Sequence, residues 1–175
     1  MRDVSEEESL LQWERQGSPW YHTVLPMALE SPDRRKAASD RVRLVLVEDD
    51  RDTREMYCAW LEHVGFEVFD AEDADTGFLH ALHYQPRVVV TDHLLRSGPT
   101  GAHLCERLKE DPRTEHIRTL LMTGSAERQT VEGALKSGCA VVRLKPYLPD
   151  AMLADIEAMV RGQQIEAFPH EHDQQ

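Results

Sequence analysis

From Arg41 onward, short apolar runs alternate with longer stretches in which apolar residues recur every three or four positions. The runs Val42–Val47, Val88–Asp92, Ile117–Met122 and Ala140–Leu144 are dominated by Val, Ile and Leu, the pattern of strands buried on both faces. Phe66–Phe69 adds a short alternating strand. Between them the spacing predicts helices over Asp52–Val64 (Met56, Tyr57, Trp60, Leu61, Val64), Asp73–Tyr84 (Ala74, Phe78, Leu79, Ala81, Leu82), Ala102–Glu110 (Leu104, Cys105, Leu108), Ser125–Ser137 and Pro149–Arg161 (Met152, Leu153, Ile156, Met159, Val160). Gly65 and Gly138 follow two of these helices as C′ residues, and Asp111-Pro112 closes a third. Strands that alternate with helices imply an α/β fold with a parallel sheet covered by helices on both faces.

The ends of the chain read differently. Ser5-x-x-Glu8 followed by Leu10, Leu11 and Trp13 predicts a short capped helix, Glu6–Gln16, stopped by Gly17-Ser18-Pro19. An apolar stretch, Trp20–Met27, and a linker around Ser31–Lys36 follow. Residues 1–40 are therefore expected to form an extension, either loosely held or used for docking. Residues 41–161 form the domain, and 162–175 an acidic tail expected to be disordered.

Composition narrows the class. Charged residues at 30% and hydrophobic residues at 41% suit a globular protein. No apolar run reaches the roughly 18 residues of a membrane helix, and the N-terminus lacks a signal-peptide pattern. The expected location is cytoplasmic, with no membrane partner. Cys58, Cys105 and Cys139 are widely spaced and read as small apolar residues. The net charge of −12 leads to the expectation of no direct DNA binding.

The chemistry lies where the strands end. Glu48-Asp49-Asp50 follows the first, Asp92 ends the third, Thr123 follows the fourth and Lys145-Pro146 the fifth. In open α/β sheets this carboxyl edge is where ligands bind. Clustered carboxylates repel one another and call for a cation, and an all-oxygen donor set favours Mg²⁺ or Mn²⁺. A carboxylate nucleophile, a divalent ion, a lysine and a hydroxyl together suit phosphoryl transfer.

These residues, with Val47-Glu48-Asp49-Asp50, Thr123-Gly124, Lys145-Pro146 and the run Asp111-Pro112-Arg113-Thr114, resemble a response-regulator receiver domain of two-component signalling, over about two-thirds of the chain. The resemblance implies a flavodoxin-like, doubly wound sheet of five parallel strands in the order 2-1-3-4-5. It implies a phosphorylation switch that is not itself an enzyme, with Asp92 as phosphoacceptor fed by a histidine kinase or histidine phosphotransfer protein. Asp49 would bind Mg²⁺ directly together with Asp92, Glu48 through water, and the backbone carbonyl of Leu94 would be a further ligand. Lys145 would pair with the acceptor carboxylate. Thr123 would bond a phosphoryl oxygen and move on activation, and Gly124 would leave room for the group.

The sequence departs from the family at three places. The aromatic switch position holds Val142, the loop after Asp92 is one residue longer with Arg96 in place of a proline, and no helix-turn-helix follows Arg161. Output is thus expected through protein contacts on Ser125–Arg161, to an unknown protein target, and a homodimer is one arrangement this allows. The alternative is a phosphorylation-independent adaptor working through residues 1–40. An aspartate-based phosphatase would want an acid at Leu94, and no P-loop motif is present. His80, His83 and His93 read as surface or structural residues, and His170 and His172 as a weak metal pair.

Overall fold

A computed structural model describes residues 41–168. The expected helix Glu6–Gln16, the linker, and His170 and His172 lie outside the described residues. Among the described residues ten elements alternate: β1 (Arg43–Val47), α1 (Arg51–His63), β2 (Glu67–Ala71), α2 (Ala74–Tyr84), β3 (Val88–Asp92), α3 (Gly101–Glu110), β4 (Arg118–Thr123), α4 (Arg128–Lys136), β5 (Val141–Leu144) and α5 (Pro149–Val160). The strands form one parallel sheet in the order β2-β1-β3-β4-β5, as the resemblance implies.

The sheet register aligns the reactive strand ends. Val47 pairs with Thr91, Asp92 with Met122, and Thr123 with Leu144. Glu48, Asp92, Thr123 and Lys145 therefore reach the carboxyl edge within two residues of one another. Alternation along each strand divides the core. Val45, Val47 and Val89 pack with Ala74 and Ala81 of α2 and with Leu104 and Leu108 of α3. Leu121 and Val142 pack with Cys105 and with Val131 and Ala134 of α4. On the opposite side α1 and α5 touch each other, burying Tyr57, Trp60 and Leu61 of α1 and Met152, Ile156 and Met159 of α5.

Two details depart from the periodicity. Leu79, expected on the apolar face of α2, is 62% exposed; the inward face is Ala74, Gly77 and Ala81, and Leu79 lies about 140° round from Ala74. Helix α4 starts at Arg128, three residues later than expected, because Ser125–Glu127 form a local turn. There the Thr123 hydroxyl accepts from the Ser125 N–H (3.1 Å) and the Ser125 hydroxyl from the Glu127 N–H (3.2 Å).

Past α5 the chain turns back along β5. The Val142 N–H donates to the Ala167 carbonyl (2.7 Å), Arg143 Nη1 to the Glu166 carbonyl (3.0 Å), and Arg118 Nη1 to the carbonyls of Met159 (3.1 Å) and Gln163 (3.2 Å). Phe168 packs against the cluster that contains Val142. β5 is an edge strand, so these residues cover its outer side. Residues 162–168 belong to the tail expected to be disordered; side-chain composition does not reveal backbone carbonyls that meet an edge N–H and two arginines.

Arg143 is the hub of this corner. Its Nε lies 2.6 Å and its Nη2 3.2 Å from the Asp155 carboxylate of α5, to which the Tyr147 hydroxyl also donates. The Arg143 and Asp155 side chains are 12% and 17% exposed. Removing one partner of a buried pair costs about 3–5 kcal/mol, and partial exposure lowers that. Asp155→Ala is expected to reduce unfolding free energy by about 2–3 kcal/mol, measured by urea denaturation. A loss below about 0.5 kcal/mol, the size of an ordinary surface change, would refute the hub.

Candidate functional site

Each reactive side chain is set by a local device. Asp50 is the N-cap of α1: its Oδ1 accepts from the Thr53 N–H (3.0 Å) and hydroxyl (2.8 Å), which hold the carboxyl below its ordinary value. That cap fixes the β1–α1 turn. Arg54 Nη1 braces it from below, donating to the Glu48 carbonyl (2.6 Å). The Asp50 N–H donates to Glu48 Oε1 (3.2 Å), which turns the glutamate inward. Asp92 ends β3, its Oδ1 accepting the N–H of His93 (2.7 Å). Lys145 follows β5 directly, and its N–H donates to the Thr123 carbonyl (2.8 Å). On the next turn of chain, the Tyr57 hydroxyl of α1 donates to the Tyr147 carbonyl (3.2 Å), so a helix from the first repeat steadies the lysine-bearing loop.

These devices bring the acids together. Ligand oxygens of Glu48, Asp49 and Asp92 lie within 4.8 Å of one another, the one such group among the described residues. Lys145 Nζ bridges two of them, 3.1 Å from Glu48 Oε2 and 2.9 Å from Asp92 Oδ2. Glu48 is buried, and burial pushes its carboxyl above the usual range despite the lysine. Burial works against the Lys145 ammonium as well. Its hydrogen bond to Asp92 and the charges of Asp92 and Glu48 prevail, and the amine sits above the ordinary lysine value. A hard, all-carboxylate donor set of this size fits Mg²⁺ or Mn²⁺, which keep several waters and use few protein ligands.

The other expected residues fall around this centre. Thr123 is buried at the end of β4, its hydroxyl turned to the Ser125 N–H rather than to Asp92. Leu94 lies in the β3–α3 loop with its side chain in solvent. Val142 is fully buried, and the ring packed against its cluster is Phe168, from beyond α5. His93 is half-buried with no partner for Nδ1. His80 and His83 each set a ring edge against Tyr84.

Three features escape sequence reasoning. Arg96 reaches across the cleft to Asp49 and Asp50. Gly101, read as a loop former, begins α3 directly against the acceptor: a Cβ there would run into the Asp92 carbonyl oxygen and come within 2.8 Å of the Thr91 hydroxyl. At Gly124 a Cβ would meet nothing within 4 Å. The third is the return of residues 163–168 to β5. A glycine one step before an amphipathic helix was the one available sign, and it signals Gly101 alone.

Comparison with known proteins places this arrangement. The family model for the response regulator receiver domain matches residues 44–157. Among curated relatives, the phosphate regulon transcriptional regulatory protein PhoB of Escherichia coli is 30% identical over 119 residues, 68% of this chain and 52% of PhoB. The DNA-binding dual master transcriptional regulator RpaA of Synechocystis is 29% identical over 119 residues, 68% of this chain and 49% of RpaA. The chain spans about half the length of the curated relatives it matches. Among solved structures, a CheY-like receiver domain protein from Methanospirillum hungatei superposes with a TM-score of 0.66 at 22% identity, covering 71% of this chain and 97% of that one.

The relatives correct one expectation. Direct DNA binding was not expected, from the net charge and from the lack of a helix-turn-helix after Arg161; PhoB and RpaA are named as transcriptional regulators, the latter as DNA-binding. Net charge sums over all residues, whereas DNA contact depends on a local surface, so the charge of −12 does not carry that exclusion. Among the described residues no helix is long and apolar enough to cross a membrane.

Proposed function

Because the chain belongs to the response regulator receiver domain family, we propose that it is a phosphorylation switch in which Asp92 takes a phosphoryl group from a phosphohistidine donor. The observation that carries this is Lys145, whose single ammonium bridges Glu48 and the Asp92 carboxylate at the carboxyl edge of the sheet. In the step, a carboxylate oxygen of Asp92 attacks phosphorus. The phosphorus–nitrogen bond to the donor imidazole breaks, its electron pair stays on the ring nitrogen, and an acyl phosphate forms. Asp49 and Asp92, with the Leu94 carbonyl and with Glu48 through water, would hold a divalent cation. That ion supplies neutralisation of charge on the phosphoryl oxygens.

The chain's own groups do the rest. The His93 N–H fixes one Asp92 oxygen, which sets the direction of the carboxylate. Lys145 already lies against the other oxygen, so its charge is in place as negative charge grows on the transferred group. The Thr123 hydroxyl accepts the Ser125 N–H and keeps its own proton to donate to a phosphoryl oxygen. The likeness to PhoB and RpaA extends the reading to the output, which is control of transcription.

The full chain incubated with acetyl phosphate and Mg²⁺ is expected to gain one phosphoryl group by intact mass. The gain should vanish in Asp92→Asn and weaken strongly in Asp49→Ala. Labelling that survives Asp92→Asn, or none at all on a folded protein, would sink this reading. The second outcome would favour a phosphorylation-independent adaptor.

A further inference from the structure

Each acid of the site already has a tethered cation. Lys145 holds Glu48 and Asp92. Arg96 holds Asp49, with Nε at 3.0 Å and its own N–H at 3.2 Å from Oδ2, and reaches Asp50 Oδ2 with Nη2 at 3.1 Å. A guanidinium with two donors on neighbouring carboxylates is geometrically well matched to them. A divalent ion that takes Asp49 as a ligand enters a place that a cation of the chain itself occupies.

The two cations are not equally fixed. Lys145 extends from just past β5 and its side chain is 31% exposed, while the Arg96 side chain is 72% exposed on a loop. Its side chain pairs with the Asp49 and Asp50 carboxylates. Exposed ion pairs are worth little individually and are screened by salt. Arg96 is therefore the cation that yields. It also sits two residues past Leu94, on the same loop as the proposed carbonyl ligand.

We propose that Arg96 is a positioning residue that acts as a built-in competitor of the divalent cation: it occupies Asp49 until Mg²⁺ displaces it, and so sets the Mg²⁺ concentration at which the switch becomes competent. This rests on the reading of Glu48, Asp49 and Asp92 as a metal site and adds a residue that would tune it.

The test is direct titration of Mg²⁺ into the full chain by isothermal titration calorimetry, with no phosphodonor present. Arg96→Ala is expected to tighten binding about 3- to 10-fold at low ionic strength, a gap that narrows as salt screens the pair. Arg51→Ala removes a cation that is also exposed and near the same turn but pairs with Glu55 instead. It is expected to change affinity less than about twofold, which separates competition at Asp49 from a general change in field. Equal binding by wild type and Arg96→Ala would overturn the proposal, as would equal tightening by Arg51→Ala. If neither wild type nor Arg96→Ala binds Mg²⁺, the metal site itself falls, and the proposal with it. Heat that persists in Asp49→Ala would place the ion elsewhere and overturn both.

Discussion

Gly101→Ala is expected to lower unfolding free energy by about 2–4 kcal/mol and to disturb Asp92, although the same change usually stabilises a helix. Alanine gains roughly 0.5–1 kcal/mol over glycine in a helix. Here the added carbon meets the Asp92 carbonyl oxygen and the Thr91 hydroxyl. A flexible side chain could move aside, but a strand carbonyl cannot move without moving the residue that bears it. The Gly101 N–H also donates to the His93 carbonyl (3.0 Å), so the helix start and the strand end are locked together. Gly133, inside α4, provides the contrast: a Cβ there would meet nothing within 4 Å, and Gly133→Ala should stabilise by about 0.5–1 kcal/mol. Urea unfolding of both variants checks the pair. Equal effects at the two glycines would mean that the close approach at Asp92 carries no energetic weight.

Lys145→Met is expected to slow phosphorylation of Asp92 by about 10²-fold or more, the usual scale for removing one preorganised electrostatic group. Methionine keeps much of the length and none of the charge. Glu48 and Asp92 would then face each other without the ammonium that now bridges them. Affinity for Mg²⁺ should hold or rise, since a competing cation has gone from the cluster, while the rate falls. That opposition of sign separates lost chemistry from lost folding. Lys145→Arg should recover part of the rate at most, because a planar fork does not reproduce a point charge held between two acids. Initial rates of acetyl phosphate labelling measure this, and a rate within threefold of wild type in Lys145→Met would remove the lysine from the mechanism.

What the sequence revealed was what depends on local pattern. Val88–Val90 and Leu44–Val47 announce buried strands because a strand covered on both faces reads as a short unbroken aliphatic run. Their polar ends, Glu48-Asp49 and Asp92, could be placed on one edge because parallel strands share a direction. The strand order came from family resemblance, since periodicity does not say which strands are neighbours. What stayed hidden depends on meetings between distant residues. Arg96 and Asp49 are 47 positions apart, and their pairing follows from the path of a loop. The Arg143–Asp155–Tyr147 corner and the seat of Phe168 have the same origin. Leu79 shows the converse error: an apolar residue within a helical repeat that lies off its buried arc.

The return of residues 163–168 to β5 also bears on how the chain is made. A sheet's outer strand offers unpaired backbone groups to any extended peptide, and proteins guard such strands against joining other chains. Here the guard comes last in sequence order: Ala167, whose carbonyl takes the Val142 N–H, lies 25 residues beyond it. During synthesis β5 can pair with β4 before its cover has left the ribosome. For that interval the nascent domain carries an open edge, the condition under which incomplete chains stick to one another.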